Sequence, residues 1–224
     1  MTQTRKDPLV NDSYYHILNR SIAQFQIFNE VEDFDRFMQI VDLCRFEDFK
    51  YKFSEFISLS LINQKIIIDN LRENNALMVK IVAYCIIPTH FHLILGQEVK
   101  DGIVKYMSRV LNSYTRYFNL KYHRKGPLWE GHFKSVLVDK DEQMLHLTRY
   151  IHLNPVSANL VHKPEEWIYS SFNEYLNKRS NKLCDYKNLL EIKPSDYKKF
   201  VNDRIKYQKE LSKIKRVLID NYSG

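Results

Sequence analysis

Two histidines one residue apart, in the run Pro88-Thr89-His90-Phe91-His92, are the residues of this chain best suited to chemistry. On a strand, positions i and i+2 project from one face, so His90 and His92 aim two imidazoles at one point while Phe91 turns to the other side. Paired imidazoles of this kind are a metal-binding geometry, and they are equally a pair of polar residues on a wet surface; the spacing alone does not decide. There is no HExxH run, so a metalloprotease helix is not supported. The second candidate is Leu147-Thr148-Arg149-Tyr150-Ile151-His152-Leu153-Asn154-Pro155. On a helix Tyr150 and Asn154 are i and i+4 and share a face, while Leu147 and Ile151 mark the side that packs. A phenol and an amide then reach one site, although the same spacing suits a ring that fills the core and an Asn that ends the helix. A phenol with its ordinary pKa near 10 needs help to act as a nucleophile, and His146 and His152 are the nearby candidates for a base. Each is also read as an ordinary surface histidine.

The elements that must hold these groups are legible as changes of period. Residues 14–20 form an aromatic and β-branched strand, and Val31 to Arg45 an amphipathic helix. The stretch 51–75 is mixed, with Ile66-Ile67-Ile68 inside expected helix. Val79 to Ile87 reads as a strand ended by Pro88-Thr89, and Phe91 to Leu95 resumes it until Gly96. Val99 to Tyr122 reads as a long helix with one basic face, broken by Gly126-Pro127. His132 to Val138 is a fourth strand, and Asp139 or Asp141 caps a helix running to about Leu153 that Asn154-Pro155 closes. This order predicts an α+β fold, a ferredoxin-like βαββαβ antiparallel sheet with added C-terminal helices. The expected division is residues 1–177 as the nuclease-like domain and 178–224 as a basic helical C-terminal tail.

The 224 residues, 44% hydrophobic and 27% charged, suit one globular domain with a sizeable core and exclude a fibre or a disordered chain. No apolar run reaches membrane-spanning length, and the N-terminus has no apolar signal core, so a cytoplasmic protein with no membrane partner is expected. Cys44, Cys85 and Cys184 stand far apart and in no CxxC pair, which argues against a disulfide framework or a thiolate zinc site. The net charge of +7 is uneven: residues 100–135 carry a net +6 and residues 178–217 a net +8. Clustered cations gain affinity for a polyanion by releasing its counterions. Arg109, Arg116, Lys121, Arg124 and Lys125 are therefore candidates to line a single-strand groove, with Tyr117, Tyr122 and Trp129 as stacking faces or core residues. Arg20, Lys134 and Arg149 complete the candidate DNA-binding set. His16, Asn19 and Arg20 on the first strand either face the site or serve the strand itself.

Taken together these segments resemble a known family. Ala83 to Leu95, with His90-Phe91-His92 at its end, is similar to the HUH motif of the single-tyrosine transposases, and in particular of the REP-associated tyrosine transposases. Gly126-Pro127-Leu128-Trp129-Glu130-Gly131-His132-Phe133-Lys134-Ser135 and Tyr150-Ile151-His152-Leu153-Asn154-Pro155-Val156-Ser157-Ala158 match further family segments in order and spacing. The resemblance runs from about Tyr14 to Phe172. It implies that His90, His92 and Asn154 hold a divalent ion, Mg²⁺ or Mn²⁺, and that Tyr150 is the nucleophile. It also implies single-stranded DNA as substrate, a hairpin-forming element by expectation, cut and transferred through a 5′-phosphotyrosine. A homodimer is compatible with it. Thr89, His132, Ser157 and Asn159 depart from the residues usual in the family, which touches phosphate contacts and DNA preference but none of the proposed catalytic groups. The rival is a module of the same fold that binds single-stranded DNA or RNA and breaks no bond.

Overall fold

The computed structural model describes residues 7–179 and 183–210. Four strands, β1 (Tyr14–Arg20), β2 (Val79–Ile87), β3 (His90–Gln97) and β4 (Lys134–Val138), form one antiparallel sheet in the order β2-β3-β1-β4. The helices between them are α1 (Val31–Leu43), α2 (Phe53–Ser58), α3 (Leu61–Asn74) and α4 (Gly102–Lys121); α5 (Asp141–Ser157), α6 (Phe172–Tyr175) and α7 (Pro194–Asn202) follow the last strand. With the α2–α3 insertion set aside, this is the βαββαβ order expected.

Strand alternation sorts the sheet into two faces. Tyr15 and Ile17 of β1 and Phe91, Leu93 and Leu95 of β3 are fully buried in the larger core, which α1 and α4 cover with Phe34, Phe37, Tyr106, Val110 and Tyr114. The intervening residues face the other way. Cys85, Ile87, Ile94 and Val138 join Met144, Ile151 and Leu153 of α5 in a second core. The residues beyond 177, read from their charge as a basic tail, add Tyr186, Leu190, Tyr197 and Val201 to this same core. Residues 180–182 and 211–217 of the basic block lie outside the described residues.

The fourth strand starts at Lys134 and not His132, the first helix ends at Leu43, and two stretches differ more from the sequence reading. The mixed stretch 51–75 resolves into α2 and α3, the latter started by the Ser60 hydroxyl accepting from Asn63 N–H and stopped by Asn75 in the left-handed conformation. Helix α5 does not close at Asn154-Pro155 but continues to Ser157. Pro155 forfeits a single N–H, and Ala158 N–H still donates to Asn154 C=O at 2.9 Å, so the last turn survives. Among the described residues no helix is long and apolar enough to cross a membrane.

Candidate active site

The site begins with the hairpin that joins β2 to β3. Pro88 and Thr89 form a two-residue turn with Ile87 paired to His90. Its carbonyls are stapled from outside: Pro88 C=O accepts from Ile27 N–H (2.8 Å) and Thr89 C=O from Ser21 N–H (2.9 Å). The turn is therefore fixed, and so are the two strand residues that leave it. His90 and His92 project from the α5 face with ring centroids 5.1 Å apart. Phe91 is buried in the opposite core, as the alternation requires.

Each of these histidines has its Nδ1 occupied by a neighbour. Thr89 Oγ1 lies 2.9 Å from His90 Nδ1, and His16 Nε2 lies 2.9 Å from His92 Nδ1. That leaves the Nε2 atoms for the site. Burial pushes His90 down to about 4, with the Arg20 guanidinium adding to the shift, and pushes His92 well below its ordinary range. Burial likewise holds His16 at about 4. All three rings are neutral at pH 7, the state in which imidazole is a ligand.

Helix α5 supplies the other half. Thr148 and Ile151 are buried beneath it, and Tyr150 and Asn154 share its site-facing side. Asn154 Nδ2 is 3.0 Å from His92 Nε2. The Tyr150 ring stands edge-on to His92, with centroids 5.6 Å apart, and to His16 at 6.5 Å. The residue remains 38% exposed. Burial raises the Tyr150 pKa, and the positive charge of Arg20 opposes that rise. Arg20 pairs with His90 across the β1–β3 ladder, at the edge of the site. The HxH pair, the phenol, the amide and Arg20 thus come together from three elements.

Neither suggested base is directed at Tyr150. His152 is wholly buried between the Tyr197 hydroxyl (2.6 Å from Nδ1) and the Ser171 hydroxyl (2.7 Å from Nε2). His146 accepts at Nδ1 from Arg149 at 2.7 Å and packs on Phe200.

The candidate DNA-binding residues divide. Arg20 and Lys134 line an open groove beside the site with Leu18, Asn19 and His132. Arg149 stacks on Phe200, 4.1 Å from ring centroid to guanidinium carbon. Helix α4 covers the face of the sheet opposite α5, so its cations sit on the far side. Arg109 donates to the carbonyls of Phe46 and Phe49, and Arg124 to that of Pro127. Lys121 is paired with Glu30, Glu32 and the fully buried Asp33. Against the cost of its own burial, hydrogen bonds from Tyr122, Lys121, Asn29 and Tyr117 keep the Asp33 pKa low, so Lys121, Tyr117 and Tyr122 act as a clasp between the ends of α1 and α4. Trp129 is buried and donates to Thr115 Oγ1. Arg116 and Lys125 are exposed on that same far side.

A divalent ion fits the donor set, within limits. Among the described residues no group of three or more His, Cys, Asp or Glu is placed to hold a metal. The available donors are two neutral imidazole nitrogens and one amide oxygen, once the Asn154 amide presents Oδ1. So few neutral ligands bind a hard divalent ion weakly and leave room for a phosphate oxygen in its shell.

Similarity to known proteins agrees with this arrangement. Residues 60–154, which include both histidines, Tyr150 and Asn154, match the family described as Transposase IS200 like. A Haemophilus influenzae protein described as a REP-associated tyrosine transposase is 31% identical over 102 residues, covering 41% of this chain and 57% of that relative. The chain thus spans a little over half the length of that relative. The solved structure of a REP-associated tyrosine transposase bound to a REP hairpin superposes with a TM-score of 0.55 at 15% identity, covering 83% of this chain and 94% of that one, and this likeness establishes a shared fold. The resemblance stated from the three motifs is thus matched by similarity: residues 60–154 are similar to the IS200-like transposase family, and the chain shares the fold of a solved REP-associated tyrosine transposase.

Proposed function

We propose that the chain is a transposase that cuts and rejoins single-stranded DNA through a covalent link to Tyr150. One observation carries this reading: Tyr150, His90, His92 and Asn154, far apart in sequence, meet on one face between α5 and β3. His90 and His92 through Nε2, and Asn154 through Oδ1, would hold Mg²⁺ or Mn²⁺. An ion bound there polarises the scissile phosphate and stabilises charge on the departing oxygen. Tyr150 Oη attacks phosphorus and loses its proton; the bond from phosphorus to the 3′ oxygen breaks, and that oxygen leaves as a 3′ hydroxyl after taking up a proton. The enzyme keeps a 5′-phosphotyrosine, and attack by another 3′ hydroxyl reverses the step. Arg20 holds a positive charge beside the phenol, which favours the phenolate and positions a phosphate. Water carries the phenolic proton away, since His146 and His152 are engaged elsewhere.

The substrate we favour is a hairpin-forming single strand, on the ground that the solved structure sharing this fold is bound to a REP hairpin. Arg20 and Lys134 in the groove beside the site are the phosphate-binding groups nearest the chemistry, and the basic residues beyond 177 are a separate candidate surface for the strand. The test is incubation with hairpin-bearing single-stranded oligonucleotides and Mn²⁺, resolved on a denaturing gel. Protein-linked DNA that disappears with excess chelator is expected. Binding without any adduct would mean a module that only holds the strand.

A further inference from the structure

His16 takes no part in the reaction as written above, yet it is the residue hydrogen-bonded to the back of His92. On β1, Leu18 pairs with His92, and His16, two residues earlier, reaches the ring diagonally on the same face. The two imidazoles lie within 16° of coplanar, the disposition an in-plane N–H···N bond needs, with His16 Nε2 2.9 Å from His92 Nδ1. On the other side of the His92 ring, Asn154 Nδ2, which can only donate, lies 3.0 Å from Nε2. With the amide nitrogen turned to this side, Nε2 accepts and Nδ1 gives its proton to His16 Nε2, which leaves the Nε2 lone pair free for an ion once the amide turns to present Oδ1.

We infer that His16 is a positioning residue that holds His92 in the one tautomer and ring orientation able to offer Nε2 to a divalent ion. The inference deepens the proposed function and rests on its metal reading. His16 is not a fourth ligand, because its Nε2 is spent on the far side of the His92 ring. What it does is remove an alternative. His92 is only 2% exposed, so no water network stands ready to replace a missing partner at Nδ1. Without an acceptor there, the proton moves to Nε2, where it can be given to the Asn154 amide turned to present its oxygen, and the lone pair meant for the ion is no longer available. Thr89 Oγ1 stands in the same relation to His90 Nδ1, so each histidine of the pair has its own support. Such outer partners typically account for about ten- to a hundredfold in metal affinity.

The experiment measures Mn²⁺ affinity by electron paramagnetic resonance, alone and with a hairpin-bearing single strand, and the protonated nitrogen of His92 by long-range ¹H–¹⁵N spectra without metal. It uses the full chain, His16→Phe and His16→Gln. Phenylalanine keeps the ring volume on the strand but accepts nothing, while glutamine offers a carbonyl oxygen to Nδ1–H. The expectation is a proton on Nδ1 in the wild type, and in His16→Phe a proton shifted to Nε2 with Mn²⁺ affinity reduced roughly ten- to a hundredfold. His16→Gln should recover most of both. Wild-type protein that binds no Mn²⁺ even with a hairpin-bearing single strand present to complete the ion's shell would overturn the metal reading on which the inference stands. Wild-type binding that His16→Phe retains in full, with the His92 proton unmoved, would overturn the role of His16 alone.

Discussion

Removing one oxygen at Tyr150 separates packing from chemistry. The ring is held edge-on by His92 and His16, so Tyr150→Phe should keep the fold and DNA binding and lose cleavage, as a gel-shift assay beside a cleavage assay would read. The two histidines are not equivalent targets. His90 sits at the strand's edge and is half-buried, so His90→Ala should abolish cleavage with little loss of stability. His92 is buried and bonded at both nitrogens, so His92→Ala leaves Asn154 and His16 unpartnered and should cost about 1–3 kcal/mol of stability as well, measured by denaturant unfolding. At this scale the sequence was a partial guide. The HxH pair and the Tyr150–Asn154 spacing are local patterns with a period, and the fold brings the two together on one face. The partnership of His16 with His92 spans 76 positions and depends on strand register, which no local pattern contains.

Among the elements, α5 is the one whose position decides the site, and it is fastened from behind by the C-terminal segment. The Tyr197 hydroxyl lies 2.6 Å from His152 Nδ1 and the Ser171 hydroxyl 2.7 Å from its Nε2, and that serine hydroxyl donates to Tyr84 C=O at 3.2 Å. Burial holds His152 at about 3, so this row is uncharged at pH 7. His152 lies two residues from both Tyr150 and Asn154, and α7 thereby fixes the helix that carries them. Truncation after Asn177 would strip Tyr186, Leu190, Tyr197 and Val201 from the second core, at about 1.5–3 kcal/mol for each large apolar side chain. The shortened chain should therefore fail to fold stably, whatever it does to DNA. Tyr197→Phe is the finer test: it should lower stability by about 1–3 kcal/mol while leaving the ring's packing in place. The strands and the long helices were legible because their apolar residues keep a period of two or near 3.6. The helical end at Pro155 was not, since proline in a last turn removes one bond and spares the rest. Nor was the place of the tail, because the four apolar residues that anchor it are spread among many charges.

For the whole molecule, charge and protonation set the conditions of action. The basic block beyond 177 is best tested without deletion. Changing the exposed Lys193, Lys199 and Lys206 to Gln should lower the slope of log affinity for single-stranded DNA against log salt by about 0.7 for each phosphate that is no longer neutralised. An unchanged slope would remove that face from the DNA surface. Stability should also fall in acid before ordinary carboxylates titrate. His16 and His90 stay neutral in the fold to about pH 4 and His152 to about pH 3, whereas the unfolded chain protonates its histidines near 6.5. Between about pH 6.5 and 4 the unfolded state binds more protons, so the thermal midpoint should decline steadily across that window, as calorimetry at fixed ionic strength would record. The central claim, that this fold exists to put Tyr150 on a phosphate, is met most directly by mass spectrometry of the covalent complex formed with a hairpin-bearing single strand and Mn²⁺. The account predicts a nucleotide on the peptide containing Tyr150, whereas an adduct on any other tyrosine, or a cut strand with no adduct at all, would contradict it.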